Sequence, residues 1–144
     1  MACPPPRGSA IIASVTFTAS FATRHTDSFA STGYVHAGVL LALTELAYAQ
    51  VEQHVGVSKS PTIVAVERAT RAVYRAPLPW QEGASIQVTT TEATDRGFTQ
   101  EFMVRSQASG RQIASVVHDW VWLDTETGNA VALPKEVQER FLAS

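Results

Sequence analysis

Glu45 is the first residue whose surroundings suggest chemistry, because it interrupts an apolar segment. Within residues 39–49, which contain no Gly or Pro, Thr44 and Glu45 are the clearly polar residues. A segment of 11 residues rich in Leu and Ala favours a helix, and a helix that is apolar nearly all round is typically buried. Burial of an ionised carboxylate costs several kcal/mol unless the group is paired. Three interpretations follow: an ion pair with Arg68 or Arg71, a solvated position in a dimer groove, or a catalytic acid with a raised pKa.

His36, Ala37 and Gly38 stand directly before this segment, where the predicted helix begins. Backbone N–H groups in the first turn of a helix lack intrahelical partners, and the helix macrodipole is positive there. Small side chains allow an anion or a polarised carbonyl group to approach such N–H groups closely. The same residue types also suit tight packing at a helix entry, so both interpretations stay open.

The elements around this helix are predicted from alternation, turn residues and prolines. The helix ends near Gly56, since glycine is common just past the last helical residue. Alternating β-branched residues and glycine-containing turns predict one strand before the helix, four strands after it and a short terminal helix: strands 11–23, 62–74, 84–94, 98–108 and 111–124, and helix 134–142. Segregated helix and strands indicate an α+β fold in which an antiparallel sheet curves around the central helix.

Composition places the chain among globular proteins of a single domain. It has 144 residues, of which 45% are hydrophobic and 17% are charged. We expect a disordered tail at residues 1–10, which include the single cysteine Cys3, and one domain at residues 11–144. The net charge of −2 predicts no attraction to nucleic acid or to membranes. The sequence pattern contains no membrane span, signal peptide or metal-ligand cluster, which predicts a cytoplasmic protein without a metal.

The segment Gly33–Leu40 (GYVHAGVL), followed by Ala42–Glu45 (ALTE), resembles the motif of hotdog-fold acyl-CoA thioesterases. In the 4-hydroxybenzoyl-CoA and phenylacetyl-CoA branches of that family, a His-Gly-Gly opens the central helix. An acidic residue follows nine positions after the His, which is the spacing from His36 to Glu45. The likeness extends from residue 15 to residue 141 and includes three further segments: Tyr74–Pro77 with Gly83, Arg96–Thr99, and Ala132–Pro134.

The resemblance implies a hotdog fold, in which an antiparallel β-sheet wraps around one long central α-helix. It also implies a homodimer or homotetramer that hydrolyses an acyl-CoA substrate with no cofactor and no metal. By the family pattern, Glu45 is the nucleophile or the general base. The amide of Ala37 or Gly38 polarises the thioester carbonyl group.

Two departures from the family pattern affect these assignments. Ala37 replaces the first Gly of the His-Gly-Gly, which leaves the amide available and narrows the pocket by a methyl group. In the other branch the acid is an Asp three residues ahead of the Gly, whereas Asp27 stands six ahead of Gly33 in a longer loop. Asp27 is therefore either a second candidate acid or a solvated loop residue, and Glu45 is the favoured acid.

The turn Arg96-Gly97-Phe98-Thr99 is predicted to hold the CoA end of the substrate, with a charge from Arg96 and a hydroxyl from Thr99. A plain hairpin turn is the alternative. The side-chain types suit a short-chain, branched or aromatic acyl group alike. Two other functions stay open: a hotdog-fold hydratase or dehydratase that pairs His36 with the acid, and a non-catalytic acyl-CoA or acyl-carrier binding module, which the altered His-Gly-Gly would suit.

Overall fold

The computed structural model describes residues 16–143. Within that range the predicted elements are present, and the sequence pattern does not predict β6. The elements are β1 Phe17–Phe21, α1 Ala37–Val55, β2 Ile63–Tyr74, β3 Ala84–Thr94, β4 Gly97–Ser106, β5 Gln112–Asp124, β6 Ala130–Val131 and α2 Lys135–Leu142, with single 3₁₀ turns at His25–Asp27 and Trp80–Glu82. The tail predicted at residues 1–10 and the start of the predicted first strand lie outside the described residues.

The strands form one antiparallel sheet in the order β1-β3-β4-β5-β2, with β6 paired to β5. The predicted α+β class, with an antiparallel sheet packed around one long helix, is confirmed. Among the described strands, the 12-residue β2 pairs with β5 alone. One long edge of β2 is therefore open to pairing with another chain.

Helix α1 buries one side against the inner face of the sheet. Tyr48 stacks on Trp120 with ring centroids 4.3 Å apart, and Phe98 stacks on Phe141 at 4.4 Å. Gly56 ends the helix in the left-handed conformation at φ 65°, as the sequence predicts. The helix residues buried in this interface are Leu40, Leu43, Thr44, Ala47, Tyr48 and Val51.

The opposite side of α1 is exposed in the single chain. Leu46 is 53% exposed, and Ala42, Glu45 and Ala49 are also exposed. The expectation that Glu45 is buried in a core helix is therefore wrong for one chain. The physical reason is that a single curved sheet covers one side of a helix, so the apolar residues on the other side have no cover within the chain.

Candidate active site

The start of α1 opens on an apolar cavity of about 420 Å³. Phe29, Tyr34 and Tyr74 contribute aromatic rings to its wall, Ala37 forms its helical end, and Arg75 is its charged residue. Cavities of a few hundred Å³ with apolar walls and a few polar groups are typical of small-molecule sites. The helix start is thus built as the end of a pocket.

Two backbone N–H groups at this helix start are unused. The N–H groups of Val39 and Leu40 donate to the His36 carbonyl at 3.0 and 3.2 Å. Those of Ala37 and Gly38 have no acceptor among the described residues. A Cβ placed on Gly38 would meet no atom within 4 Å, so this side of the helix start is open. The arrangement can donate hydrogen bonds to a carbonyl oxygen or an anion.

Asp27 lies beside the helix start in spite of its longer loop. Its carbonyl oxygen accepts the N–H of His36 at 3.0 Å. Its carboxylate accepts the backbone N–H of Arg24 at 2.8 Å and the Arg24 guanidinium at 3.3 Å. The backbone hydrogen bond from Arg24 is the main cause that holds the pKa of Asp27 below its usual range. Asp27 is therefore an ionised group that is already hydrogen-bonded within its own turn.

His36 occupies the N-cap position in an extended conformation and makes no side-chain cap hydrogen bond. Its ring packs on Phe29, with ring centroids 3.8 Å apart. The aromatic contact fixes the imidazole at the entrance of the helix, beside the unused N–H groups.

Glu45 contacts a second carboxyl group, which the sequence motif does not indicate. Its side chain is within hydrogen-bonding contact of Glu67 on β2. That hydrogen bond, desolvation and the repulsion between the two carboxylates raise the pKa of Glu45 to about 7. The ion pair considered with Arg68 or Arg71 is absent, because both arginines line cavities on the outer face of the sheet. Strand alternation was the signal that could have shown this contact, because it places Glu67 on the same inner face of β2 as Ile63 and Ala65.

His118 lies deep under the same helix and is 2% exposed. Its Nε2 lies 2.7 Å from the Thr44 hydroxyl, and its Nδ1 lies 2.8 Å from the Thr70 hydroxyl. Since the Thr44 hydroxyl donates to the Leu41 carbonyl at 2.6 Å, it accepts from Nε2–H, and Nδ1 accepts from Thr70. Burial lowers the pKa of His118, so the imidazole is neutral and both of its nitrogens are hydrogen-bonded.

The predicted CoA-binding turn joins β3 to β4, at the end of β3 that does not pair with β1. Arg96 and Thr99 line a cavity of about 80 Å³ together with two acids, Glu92 and Asp119. The Thr99 hydroxyl donates to the Asp119 carboxylate at 2.7 Å, so it is already engaged. Phe98 is a core residue and is 3% exposed.

Gly97 has a packing role in this turn. A Cβ at this position would lie 2.2 Å from the carbonyl oxygen of Trp120 on the neighbouring strand β5. No side chain fits into that distance, so the close approach of the two backbones requires glycine.

The outer face of the sheet also carries a cavity of about 400 Å³, which is larger than the cavity at the turn. Three arginines, Arg71, Arg75 and Arg105, line it beside a single carboxylate, Glu101. None of the three forms an ion pair with a described residue. Arg75 also lines the cavity at the helix start, so the two cavities adjoin at this residue.

Within residues 16–143, no group of three or more His, Cys, Asp or Glu residues is arranged to hold a metal ion. In the same part of the chain, no helix is both long enough and apolar enough to cross a membrane. The cytoplasmic location remains a prediction.

Similar solved structures share the fold. A 1,4-dihydroxy-2-naphthoyl-CoA thioesterase from Synechocystis has a TM-score of 0.76 at 17% identity, over 88% of this chain and 96% of that chain. A gentisyl-coenzyme A thioesterase has a TM-score of 0.74 at 20% identity, over 88% and 99%. A 12:0-ACP thioesterase from Umbellularia californica has a TM-score of 0.73 at 16% identity, over 87% of this chain and 49% of that chain.

No curated protein sequence matches the chain. The model of the thioesterase-like superfamily, in contrast, matches residues 15–141. The match covers the helix start, Glu45 and every described strand, and it agrees with the hotdog fold of the structural neighbours. The prediction of a thioester hydrolase is thereby confirmed, and the chain belongs to the thioesterase-like superfamily.

Proposed function

We propose that the protein hydrolyses an acyl-CoA thioester to a free acid and CoA. The observation that carries the proposal is the pair of unused N–H groups at the start of α1, on Ala37, which lines the apolar cavity, and on the next residue, Gly38. Donors aimed at a thioester oxygen stabilise the negative charge that develops there during acyl transfer. Glu45, farther along α1, is the acid–base or nucleophilic group.

Two mechanisms are compatible with this site, and both consume one water and give the same products. As general base, Glu45 accepts a proton from water while the water oxygen bonds to the thioester carbon. As nucleophile, its carboxylate bonds to that carbon to form an anhydride, which water then hydrolyses. In both forms the C–S bond breaks, the sulfur leaves as thiolate, and the proton taken from water returns to it or to solvent. A single turnover in H₂¹⁸O that leaves ¹⁸O in the Glu45 carboxylate and an unlabelled oxygen from Glu45 in the free acid identifies the anhydride route, because the general-base route places ¹⁸O in the free acid alone.

One chain cannot supply both groups to one carbonyl. Ala37 and Glu45 are eight residues apart on α1, about 12 Å at ~1.5 Å rise per residue. Reacting groups must lie within roughly 3 Å of the atoms they act on. The exposed side of α1 and the open edge of β2 offer a surface for a second copy. A homodimer, or a tetramer built from two such dimers, would bring the helix start of one protomer to Glu45 of its partner.

The apolar cavity supports a short, branched or aromatic acyl group. Its aromatic wall, formed by Phe29, Tyr34 and Tyr74, suits stacking on an aromatic acyl group in particular. Two of the structural neighbours are named for aromatic acyl-CoA substrates, and this supports the aromatic class here.

The CoA end has two candidate positions. The cavity at the predicted turn has two guanidinium groups, of Arg68 and Arg96, beside two carboxylates, whereas the outer cavity has three guanidinium groups beside one carboxylate. Because CoA carries phosphate groups, which arginine binds in bidentate fashion, the outer cavity is the better match in charge. Its junction with the acyl cavity at Arg75 also gives one substrate access to both.

A complementation experiment tests the two-protomer site. Glu45→Gln protomers and Gly38→Pro protomers, each inactive alone, are mixed and refolded, and thiol release from acyl-CoAs of different chain length and aromaticity is measured. Heterodimers should regain part of the wild-type rate, because one of their two sites is intact. Full activity in a demonstrably monomeric form would contradict the proposal. Binding without thiol release would favour an acyl-CoA binding module, and a change at the α,β bond would favour a hydratase.

A further inference from the structure

Glu67 occupies an unusual position for a charged residue. It lies on the inner face of β2, opposite Trp120 of β5 in the strand register. The register shifts between Glu67 and Ala69, so a bulge follows it directly. Bulges re-aim side chains near functional sites. Here the inner position directs the only acid of β2 toward helix α1.

The two carboxyl groups of Glu45 and Glu67 are in hydrogen-bonding contact, yet Glu67 is not otherwise satisfied. Its Oε1 is shielded from solvent and has no hydrogen-bond partner among the described residues. Two carboxylates at hydrogen-bonding distance cannot both be ionised without strong repulsion, so such a pair retains one proton at pH values where isolated carboxylates have lost theirs.

No cation of the described chain neutralises this pair. Arg68 and Arg71, which follow Glu67 in β2, line cavities on the opposite face of the sheet. From β5, the ionisable group that faces Glu67 is His118. Burial lowers the pKa of this imidazole, although the charge of Glu67 acts in the opposite direction. On α1, the group that faces Glu67 is Glu45 itself. An unneutralised acid pair contributes nothing to stability, and perturbed acids of this kind are concentrated at functional sites.

We propose that Glu67 is a positioning residue for the hydrolysis, whose carboxyl group holds that of Glu45 in place toward the attacking water. This inference rests on the proposed role of Glu45. Repulsion from Glu67 favours the protonated form of Glu45, so the Glu45 carboxylate accepts a proton from water more readily than an isolated carboxylate. The proton returns to the departing sulfur or to solvent, and the pair regains its starting state.

A base whose pKa lies near the working pH combines a large ionised fraction with a large proton affinity. With its pKa raised to about 7, Glu45 meets this condition at neutral pH. Without Glu67, its pKa would fall toward the ordinary value of 4.5. Glu45 would then be fully ionised at pH 7 but a weaker base.

The test compares the wild type with Glu67→Gln, which keeps the shape of the side chain and removes its charge. Glu67→Asp serves as the conservative variant. Glu126→Gln, on the exposed turn after β5, is the matched control. Two quantities are measured: the midpoint of the Glu45 carboxyl titration by ¹³C NMR, and the acid limb of kcat against pH. In the wild type both should lie near pH 7. In Glu67→Gln both should move by about two pH units toward lower pH, and kcat at pH 8 should fall on the order of tenfold.

In Glu67→Asp both midpoints should lie between those of the wild type and those of Glu67→Gln. Glu126→Gln should leave both midpoints at the wild-type pH. An NMR midpoint that stays in place in folded Glu67→Gln overturns the proposal. A midpoint that moves while the kcat profile does not also overturns it, because the pair would then exist without serving the reaction. Failure of the proposed role of Glu45 is recognised separately, by full turnover in Glu45→Gln.

Discussion

Thr44 and Glu45 are consecutive residues of α1 whose side chains enter two very different polar environments. Thr44 is fully buried and joins the His118 network, in which every donor has an acceptor. Glu45 lies on the exposed side of the helix, where it contacts Glu67. That contact leaves one carboxylate oxygen without a partner. One environment is complete within the chain, and the other is not.

The difference indicates what each set of polar residues contributes. A buried network whose groups are all hydrogen-bonded rigidifies a core and specifies its packing. A pair of like charges without a counter-charge destabilises the fold and instead provides a group with a shifted pKa, which suits acid–base chemistry. We therefore propose that the His118 network serves the structure and that the Glu45–Glu67 pair serves the function, and each proposal predicts a distinct response to mutation.

The largest expected effect is on catalysis. Glu45→Gln keeps the shape of the side chain but removes the base or nucleophile, so kcat should fall roughly a hundredfold or more, equivalent to about 2.7 kcal/mol. Its thermal midpoint should not fall, since the variant also removes a repulsion. Asp27→Asn is the companion variant, measured by the same thiol-release assay. If Asp27→Asn is inactive and Glu45→Gln is not, the essential acid is Asp27. The exposed side of α1 would then have no catalytic role.

The second effect is on stability. His118→Leu removes both hydrogen bonds to the imidazole, and two buried hydrogen bonds at about 1 kcal/mol each predict a loss of about 2 kcal/mol in the free energy of unfolding. Denaturant titration measures this loss, and Thr70→Val, which removes one of the two bonds, should lose about half as much. The kcat of the folded His118→Leu variant should stay within about twofold of the wild type. A collapse of kcat without a loss of stability would assign His118 to the chemistry instead.

Local sequence patterns predict the parts of this comparison that depend on neighbours in the chain. Apolar composition predicts α1, the glycine at position 56 predicts its end, and the spacing from His36 makes Glu45 the candidate acid. The His118 network depends on partners that lie 74 and 48 residues away along the chain, and the position of Glu67 depends on strand register and a bulge. These are set by tertiary pairing, which local patterns do not encode.

The position of Asp27 is likewise set by tertiary contacts that the local sequence does not predict. Loop length alone suggests that this residue is displaced from the helix start, yet the hydrogen bond from the His36 N–H to its carbonyl oxygen brings it back. Exposure of Glu45 likewise follows from how much of the helix one sheet covers. Residue types and spacing predict which groups are chemically interesting, whereas their ionisation and contacts require the packed structure.

A third, smaller effect concerns substrate binding, which involves neither side of α1. The double variant Arg71→Ala/Arg105→Ala should raise KM for acyl-CoA about tenfold, equivalent to about 1.4 kcal/mol, with little change in kcat, because the charges bind a remote part of the substrate. The double variant Arg96→Ala/Thr99→Ala tests the predicted turn by the same steady-state kinetics, and Lys135→Ala at the start of α2 is the control. A rise in KM confined to the turn variant would place the CoA phosphates there.

The smallest effect is on the pH dependence of stability, and it isolates the carboxyl pair from the rest of the molecule. Between its ordinary value of 4.5 and the raised pKa of about 7, Glu45 of the folded chain holds a proton that the unfolded chain has released. The free energy of unfolding therefore falls as pH rises through this window, and the loss is complete above pH 7. Because Glu45 is exposed and solvent screens the repulsion, the loss should stay below about 1 kcal/mol.

Glu67→Gln removes this repulsion, so the variant should be slightly more stable than the wild type at pH 8 and equal to it at pH 4. His118 opposes the trend, because its lowered pKa costs stability as pH falls below its ordinary value of 6.5. Because the charge of Glu67 partly offsets that lowering, the two proteins are compared in a His118→Leu background, in which the imidazole makes no contribution. A difference that does not change between pH 4 and pH 8 would mean that the two carboxyl groups do not share a proton. Glu45 would then be an ordinary exposed glutamate, and the contrast with Thr44 would reduce to burial alone.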